Sequence, residues 1–156
     1  AEVADEAVTK LNAQIVFMPM QYPEDVKAAK KIVAKMKQPA CVLKEDFTTR
    51  ELMSLVGNMD LMIGIRLHAL IFAGVMGTPM IGISYDPKID RFLKSIDEDV
   101  VGDLENVTVE ALMQEINAKW NNKEIYRNQN LKRMAKLRSL ARSNAEMALE
   151  FIDKNK

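Results

Sequence analysis

Short apolar runs alternate with longer stretches of helical spacing along most of this chain. Each of four runs has the length of a β-strand, and each is followed by a stretch in which apolar residues recur every three or four positions. A further helical stretch precedes the first run. The pattern predicts strands at 15–20, 40–43, 61–65 and 80–85 and helices at 2–13, 26–36, 48–59, 67–76 and 86–96. Such alternation predicts βαβ units, a mostly parallel sheet and helices on both of its faces.

The C-terminal third is mainly helical. After a small fifth strand at 100–101, Thr108 has the position of a helix cap, and a long helical pattern covers 123–154. We expect that pattern to break near 128–130, where asparagines cluster. The predicted domains are an α/β unit at 1–122 and a helical extension packed on it at 123–156.

Composition and charge are those of an ordinary globular protein. Apolar residues make up 48% of the chain and charged residues 28%. The 22 basic and 22 acidic residues cancel, so the sequence predicts no nucleic-acid partner, although the last helical stretch is locally basic. The single cysteine, Cys41, lies in an apolar run, where we expect a buried, inert thiol and a reducing, cytosolic environment.

Neither a leader nor a membrane span is predicted. The first residues are polar and acidic, without the apolar core of a signal peptide. The apolar stretch 61–83 is long enough to cross a bilayer, but Arg66, His68 and Pro79 interrupt it. It fits strand, helix and strand better, and we expect a cytoplasmic protein.

Arg66 and His68 are the candidate reactive residues. They lie where the strand at 61–65 gives way to the apolar helix at 67–76, and His68 is the only histidine. Ligands of parallel α/β sheets bind beyond the carboxyl ends of the strands, where helix N-termini favour anions. An arginine there suits a carboxylate or phosphate, and a histidine can transfer a proton near neutral pH. The pair predicts an anionic ligand and a proton-transfer step.

A purely structural role for both residues is the alternative. Arg66 could pair with an acid such as Asp60 or Asp90, because buried charges are usually paired. His68 could equally be a core histidine whose hydrogen bonds are satisfied. Spacing alone does not decide between these interpretations.

A second polar segment follows the strand at 80–85. Asp86 before Pro87 is a favoured helix start and needs no ligand. Alternatively, Ser84, Tyr85 and Lys88 face the same cleft as Arg66 and supply hydrogen bonds and positive charge. The sequence supports the two interpretations about equally.

Other sites have weaker support. Gln21 and Asp25, at the end of the first strand, fit loop and capping roles better than a ligand site. The sequence has one histidine, one cysteine and scattered acids, so no zinc site is predicted. Neither G-x-G-x-x-G nor a Walker A motif is present, so nicotinamide and P-loop chemistry are not predicted.

Residues 60–93, DLMIGIRLHALIFAGVMGTPMIGISYDPKIDRFL, resemble the C-terminal signature of the polysaccharide pyruvyl transferase family. The combination of R-L-H-A with S-Y-D-P-K at this spacing is specific. Upstream, the strand IVFMPMQ followed by Asp25 and the run T-x-R-E-L leading to Asp60 and Leu61 are also similar to that family.

The resemblance implies a fold and a missing partner domain. The fold would be the C-terminal, donor-side half of a GT-B-type glycosyltransferase arrangement, with a Rossmann-like parallel sheet flanked by helices and a long C-terminal helical tail. The N-terminal acceptor domain would be absent from this chain, so we expect the chain by itself to be inactive. Its oligomeric state stays open, and a homo-oligomer is one alternative.

The resemblance also implies a reaction. The donor would be phosphoenolpyruvate, with no cofactor, and the product a pyruvate ketal on a sugar, N-acetylmannosamine, of a lipid-linked or polymeric cell-wall saccharide. Such ketals are recognised by surface-layer homology domains, and the enzyme would work in the cytoplasm at the inner face of the membrane. The implied catalytic residues are Arg66 and His68, and the implied substrate-binding residues are Arg66, Leu67, Ser84, Tyr85, Lys88 and Gln21.

Two competing functions stay open at this point. One is the donor-nucleotide-binding half of a GT-B glycosyltransferase or a sugar-nucleotide epimerase. The other is a non-enzymatic assembly module that uses the long basic C-terminal helix as its contact surface.

Overall fold

The computed structural model describes residues 1–154, which form five strands and seven helices that alternate as far as α6. The strands are β1 (Ile15–Phe17), β2 (Ala40–Val42), β3 (Met62–Gly64), β4 (Met80–Ser84) and β5 (Val100–Asp103). The helices are α1 (Glu2–Leu11), α2 (Glu24–Val33), α3 (Thr49–Gly57), α4 (Leu67–Met76), α5 (Pro87–Ser95), α6 (Val109–Asn121) and α7 (Lys123–Lys154). The predicted order of elements is confirmed, and the fifth strand is longer than predicted.

All strand pairs of the described chain are parallel, as predicted. They divide into a two-stranded sheet, in which Val16 of β1 is opposite Cys41 of β2, and a three-stranded sheet of order β3-β4-β5. Parallel strands place all their carboxyl ends at one edge, so the loops before α2, α4 and α5 share that edge.

Helix α4 packs against one face of the larger sheet and lies in the main apolar core. Its Leu70 and Ala73 are fully buried, against a cluster that includes Val56, Met62 and Met80. Gly77 ends the helix in the left-handed conformation, φ 77°, which glycine adopts without strain. The predicted central apolar helix is confirmed.

A second apolar cluster lies on the other face of the same sheet. Ile81 of β4 packs there against Leu112, Met113 and Ile116 of α6, and side chains of α1 extend the cluster. Helices therefore cover both faces, as the sequence predicts.

Buried ion pairs and hydrogen bonds connect α6 and α7 with the larger sheet. Lys119, 4% exposed, donates hydrogen bonds to the carbonyl of Met80 (2.6 Å) and to Glu98 Oε2 (2.6 Å). Arg133 of α7 donates to the other carboxylate oxygen of Glu98 at 2.7 Å. One carboxylate thus receives two cations and connects α6 and α7 with the segment before β5.

The expected break near 128–130 is wrong, because α7 is one continuous helix. Asn130 is 1% exposed, and its side-chain amide donates to the carbonyl of Thr78 at 2.9 Å. Asn130, which was expected to interrupt the helix, therefore forms a tertiary hydrogen bond to the turn after α4. Helix α7 packs on α4 and α6, and residues 155–156 of the predicted extension lie outside the described residues.

The expected burial of Cys41 is also wrong. It is exposed, as is its partner in register, Val16. Each is the central residue of a three-residue strand, where its neighbours point to the opposite face. The face on which these two lie is not covered in the described chain.

Within residues 1–154, the helices include none with the length and apolar composition needed to cross a bilayer.

Lys119 supplies a test of the buried ion pairs. We expect Lys119→Met to lower the free energy of unfolding by about 3 kcal/mol, because removing one partner leaves Glu98 and the Met80 carbonyl less well satisfied in a buried place. Urea denaturation measures the loss. The matched control is Lys132→Met at an exposed position of α7, which should change stability by less than about 0.5 kcal/mol. Equal effects of the two substitutions would contradict a structural role for Lys119.

Candidate functional site

The site is built around the N-terminus of α4. Strand β3 ends at Gly64, and Arg66 is the N-cap residue, with an extended backbone (φ −99°, ψ 129°) and no side-chain cap hydrogen bond. The N–H groups at the start of an α-helix have no intrahelical acceptor, and together with the helix dipole they favour an anion. Leu67, the first helical residue, contributes one of these backbone donors.

Asp25, at the start of α2, holds the side chain of Arg66. Arg66 Nη2 donates to Asp25 Oδ1 at 2.7 Å. The other oxygen, Asp25 Oδ2, accepts from the backbone N–H groups of Met20 (3.1 Å) and Gln21 (2.9 Å). The loop after β1 is therefore attached to the loop after β3 by one carboxylate, which fixes the guanidinium at the sheet edge.

The partner of Arg66 differs from the acids considered on sequence grounds. Asp60 forms an ion pair with Lys123 of α7, and Asp90 accepts a hydrogen bond from Ser84. The prediction of a paired arginine is therefore right, and both named acids are wrong. Asp25 lies 41 residues before Arg66, and only the folding of two βα units brings them together.

The pair favours its charged form. Burial opposes ionisation of Asp25, but the hydrogen bonds from Arg66, Gln21 and Met20 outweigh it and hold the pKa of Asp25 below its ordinary value. The hydrogen bond of Asp25 is in turn the main cause that raises the pKa of Arg66. The side chain of Arg66 remains one-third exposed, so it can still meet a ligand from solution.

His68 is an exposed residue of the first turn of α4. Its ring centroid lies 6.4 Å from that of Phe72, one turn later on the same helix. The alternative of a buried core histidine is therefore wrong. An exposed imidazole beside the helix N-terminus can exchange protons with solvent and with a bound ligand.

Tyr85 and Lys88 extend the site from the end of β4. Tyr85 contributes, after Asp25, to the raised pKa of Arg66, so the phenol lies next to the guanidinium. Lys88 Nζ is 5.6 Å from the centroid of the Tyr85 ring and 3.2 Å from Asp86 Oδ2. The hydrogen bond with Asp86 raises the pKa of Lys88, which keeps this exposed amine charged. Tyr85 therefore interacts with both Arg66 and Lys88.

Ser84 occupies a different environment. It is buried, and its hydroxyl donates to Asp90. It borders an open depression of about 370 Å³ whose lining also includes Asp86, Asp90, Asp103 and Glu105. Four carboxylates make this depression unfavourable for an anion, and neither Arg66 nor His68 lines it. Asp86 also has the capping role considered from sequence, since it accepts from the N–H of Lys88 at 2.9 Å.

From the sequence, Asp25 was given only a loop or capping role, although its position could have indicated the contact with Arg66. Asp25 follows β1 at the same edge of the parallel strands at which Arg66 follows β3, so an acid and an arginine were both expected at that edge. Gln21 enters the site through its backbone N–H, and its side chain is exposed. Its role as a substrate-binding residue stays a prediction.

The donors and titratable groups of the site lie close to the start of α4 and α5. The described residues include no group of three or more histidine, cysteine or acidic side chains that could hold a metal ion. The arrangement of backbone donors, Arg66, Lys88 and an exposed His68 is suited to binding an anion beside a proton donor or acceptor.

Comparison with known proteins identifies a family. The family model described as "Polysaccharide pyruvyl transferase" matches residues 2–87, which is more than half of the chain and includes Arg66, His68 and Tyr85. Neither the curated proteins nor the solved structures include a significant match to the chain.

Replacing Asp25 tests the bridge between the two loops. We expect Asp25→Asn to lower the free energy of unfolding by about 2 kcal/mol at neutral pH, because the amide cannot match a carboxylate that accepts three hydrogen bonds. The folded-state pKa of Asp25 is lowered, so its stabilising contribution is complete above the unfolded value of about 3.9 and is lost as the pH falls through the folded value. Urea denaturation at several pH values measures this difference.

The control is Asp46→Asn, at an exposed loop position. It should change stability little at any pH. A difference between wild type and Asp25→Asn that stays constant from pH 7 down to about pH 3 would contradict the role of the Asp25 charge.

Proposed function

Because the chain belongs to the polysaccharide pyruvyl transferase family, we propose that it is the donor-binding part of an enzyme that transfers pyruvate from phosphoenolpyruvate to a sugar of a cell-wall polysaccharide precursor. The transferase class follows from the family. The donor, the acceptor sugar, N-acetylmannosamine, and the ketal product are parts of the proposal. The acceptor is lipid-linked or polymeric, and the reaction takes place in the cytoplasm at the inner face of the membrane.

One observation carries this proposal: Arg66 lies at the uncapped N-terminus of α4, fixed by Asp25, beside the exposed His68. Phosphoenolpyruvate carries a phosphate and a carboxylate on adjacent atoms of a small molecule. The α4 backbone donors, starting at Leu67, and Arg66 bind one of these anions, and Lys88 with Tyr85 binds the other. Gln21 is a secondary candidate for contacts with the donor. Ser84, whose hydroxyl donates to Asp90 beside an acidic depression, is not assigned a contact with the anions of the donor.

Both side-chain cations of the proposed donor site already have a carboxylate partner. Arg66 is paired with Asp25 and Lys88 with Asp86. The positive potential that remains comes from the dipole of α4 and from the guanidinium N–H groups that Asp25 does not use. A dianionic phosphate is attracted by the helix N-terminus without displacing either carboxylate.

The proposed reaction balances as an addition followed by a substitution. His68, in its protonated form, donates a proton to the methylene carbon of phosphoenolpyruvate, a sugar hydroxyl forms a bond to C2, and the proton of that hydroxyl returns to the neutral imidazole. The bond between C2 and the phosphate oxygen then breaks, and inorganic phosphate leaves. A second hydroxyl of the same sugar adds to C2, and its proton is released. The products are the pyruvate ketal and inorganic phosphate, and no cofactor is required.

The role of Arg66 in this scheme is electrostatic. Negative charge increases on the phosphate oxygen as its bond to C2 breaks, and a guanidinium held in place by Asp25 stabilises that charge without reorganising. His68 changes its protonation state during each turnover, which requires access to solvent or substrate. The acceptor is bound by residues outside this chain, in an N-terminal domain of a GT-B-type arrangement, so the chain by itself is inactive.

Substitution of the two central residues in the full-length enzyme tests the proposed roles. We expect His68→Gln to lower kcat by about 100-fold to 10,000-fold, because general acid catalysis contributes an effect of this size. Arg66→Lys should raise KM for phosphoenolpyruvate by about tenfold or more, since lysine cannot supply the planar donor pair. Steady-state release of inorganic phosphate with acceptor present measures both.

The matched control is Arg50→Lys, at an exposed position of α3. It should leave kcat and KM unchanged. If Arg66→Ala and His68→Ala left pyruvylation intact while removal of 123–156 abolished it, the assembly-module alternative would replace this proposal.

The choice of donor separates the proposal from the nucleotide-binding alternative. We expect calorimetric titration of the full-length protein to detect phosphoenolpyruvate binding that Arg66→Ala abolishes, because the guanidinium contacts the anion directly. Uridine diphosphate is the competing ligand and should give no heat of binding. Tight binding of uridine diphosphate, with none of phosphoenolpyruvate, would establish the alternative.

A further inference from the structure

The second half of α7 lies outside the apolar core. Met134 and Leu137 pack against the core around α4, and among the described residues neither apolar cluster includes a member of α7 beyond Leu137. From 138 to 154 every residue except Ser143 is exposed. At 1.5 Å per residue this segment is about 25 Å long. Helices in proteins gain most of their stability by packing an apolar face, so this segment is suited to pairing with a partner.

The exposed half of α7 carries an apolar series with coiled-coil spacing. Apolar side chains recur at alternating intervals of three and four, and one polar residue, Asn144, interrupts them. Leu140 and Met147, on either side of Asn144, are 55% and 59% exposed. The complete series is Leu137, Leu140, Asn144, Met147 and Phe151. Such a series is typical of a helix that pairs with another helix, and an asparagine within it fixes the register of the pair.

The two flanks of this apolar series differ in chemistry. One flank carries Lys136, Ser143 and Glu150 at heptad spacing, and the other carries Ala141 and Ala148. Lys136 is exposed and forms no ion pair within the described residues. Glu150 is 3.8 Å from Lys154 Nζ, one turn later on the same helix. Both charges of the first flank are therefore available to a partner.

A second copy of α7 in antiparallel orientation fits both flanks. Reversing one helix brings the same flank of the two copies together. About a two-fold axis at Ser143, Lys136 of each copy lies opposite Glu150 of the other, because both are equally far from the axis. The alanine flank then faces itself, and small side chains let two helices approach closely. In a parallel pair the charged flank would face the alanines, and neither charge would gain a partner.

The distribution of charge along α7 favours the same orientation. Residues 132–142 include five basic and no acidic side chains, whereas 143–153 include three acidic and no basic ones. A parallel pair places like charges side by side, which is unfavourable. An antiparallel pair places each basic half beside an acidic half, and it also opposes the dipoles of the two helices.

We propose that the second half of α7 forms an antiparallel two-helix contact between two copies of this protein, across a two-fold axis close to Ser143. The interface is isologous, so each contact occurs twice. The apolar series is buried in its centre, Asn144 near the axis selects the register, and two Lys136–Glu150 ion pairs close its ends. No residue of the proposed donor site belongs to this surface, so the inference goes beyond the proposed function and does not depend on it.

Sedimentation equilibrium of the full-length protein over a range of concentrations tests the contact. We expect a monomer–dimer equilibrium that Lys136→Glu weakens by at least about tenfold, because two like-charge contacts replace two ion pairs. Adding Glu150→Lys to that variant restores both ion pairs in the reverse sense and should return the dissociation constant to within about threefold of the wild-type value. The matched control is Lys31→Glu, an equal charge change at an exposed position of α2, which should leave dimerisation unchanged.

Two outcomes of this measurement would overturn the proposal. One is a protein that is monomeric at every concentration, because a second copy then does not cover this face of α7. The other is a dimer that Lys136→Glu and Lys31→Glu weaken equally, or that Glu150→Lys does not restore, because the ion pair between copies is then absent.

Distances between spin labels establish the orientation of the two helices. In a Cys41→Ser background, which removes the exposed native thiol, single labels are attached after Ala135→Cys, Arg142→Cys or Leu149→Cys. These exposed positions are one heptad apart on the side of α7 that faces away from the apolar series. Antiparallel pairing predicts the shortest distance between copies at 142, next to the axis, and longer distances at 135 and 149. Equal distances at all three positions would establish a parallel pair and overturn the proposal, as would the absence of any distance between copies.

Discussion

The ion pair of Arg66 with Asp25 is the interaction on which the arrangement of the site depends. Each residue follows a different strand, and the two strands are not hydrogen-bonded to each other. The carboxylate also accepts from two backbone N–H groups, so that one side chain sets the loop after β1 and the orientation of the guanidinium. A pair with several hydrogen bonds and partial burial resists screening better than a surface pair. The position of α4 relative to the first βα unit is therefore fixed by chemistry at the ligand edge of the sheet.

Charge serves a different purpose at the opposite side of α4. There Glu98 accepts hydrogen bonds from Lys119 and Arg133, and the side chains of Glu98 and Lys119 are more buried than those of Arg66 and Asp25. Lys119 also donates to the carbonyl of Met80 in β4, so its ammonium group is bound on the inside of the fold. Arg66 remains partly exposed and Lys88 is exposed. Lysine and arginine thus stabilise the fold around Glu98, whereas Arg66 and Lys88 remain accessible from solution.

Local signals made most of the fold predictable. The capping box at Thr48 and Glu51, the apolar face of each helix and the glycine after α4 depend on residues close in sequence, and the elements appear where these signals place them. The sequence-based predictions were wrong where a residue's environment depends on a partner that is distant in sequence. Asn130 looked like a helix break because its partner, the Thr78 carbonyl, is 52 residues away. Cys41 looked buried because an apolar run does not reveal which face of a strand is covered. Arg66 was expected to have an acidic partner, but the identity of that acid, Asp25, depended on how two βα units pack.

The N-terminus of α4 has a consequence for how the family can diverge. Its anion-attracting groups belong to the backbone, and substitution cannot remove them, except by proline or by a change that unfolds the helix. Substitution of side chains around this edge, such as Tyr85, Lys88 and Gln21, would leave those backbone groups in place, because these residues are exposed and lie on loops or at the start of another helix. Substitutions can therefore alter the side chains beside the helix N-terminus while its free backbone N–H groups are inherited with the fold.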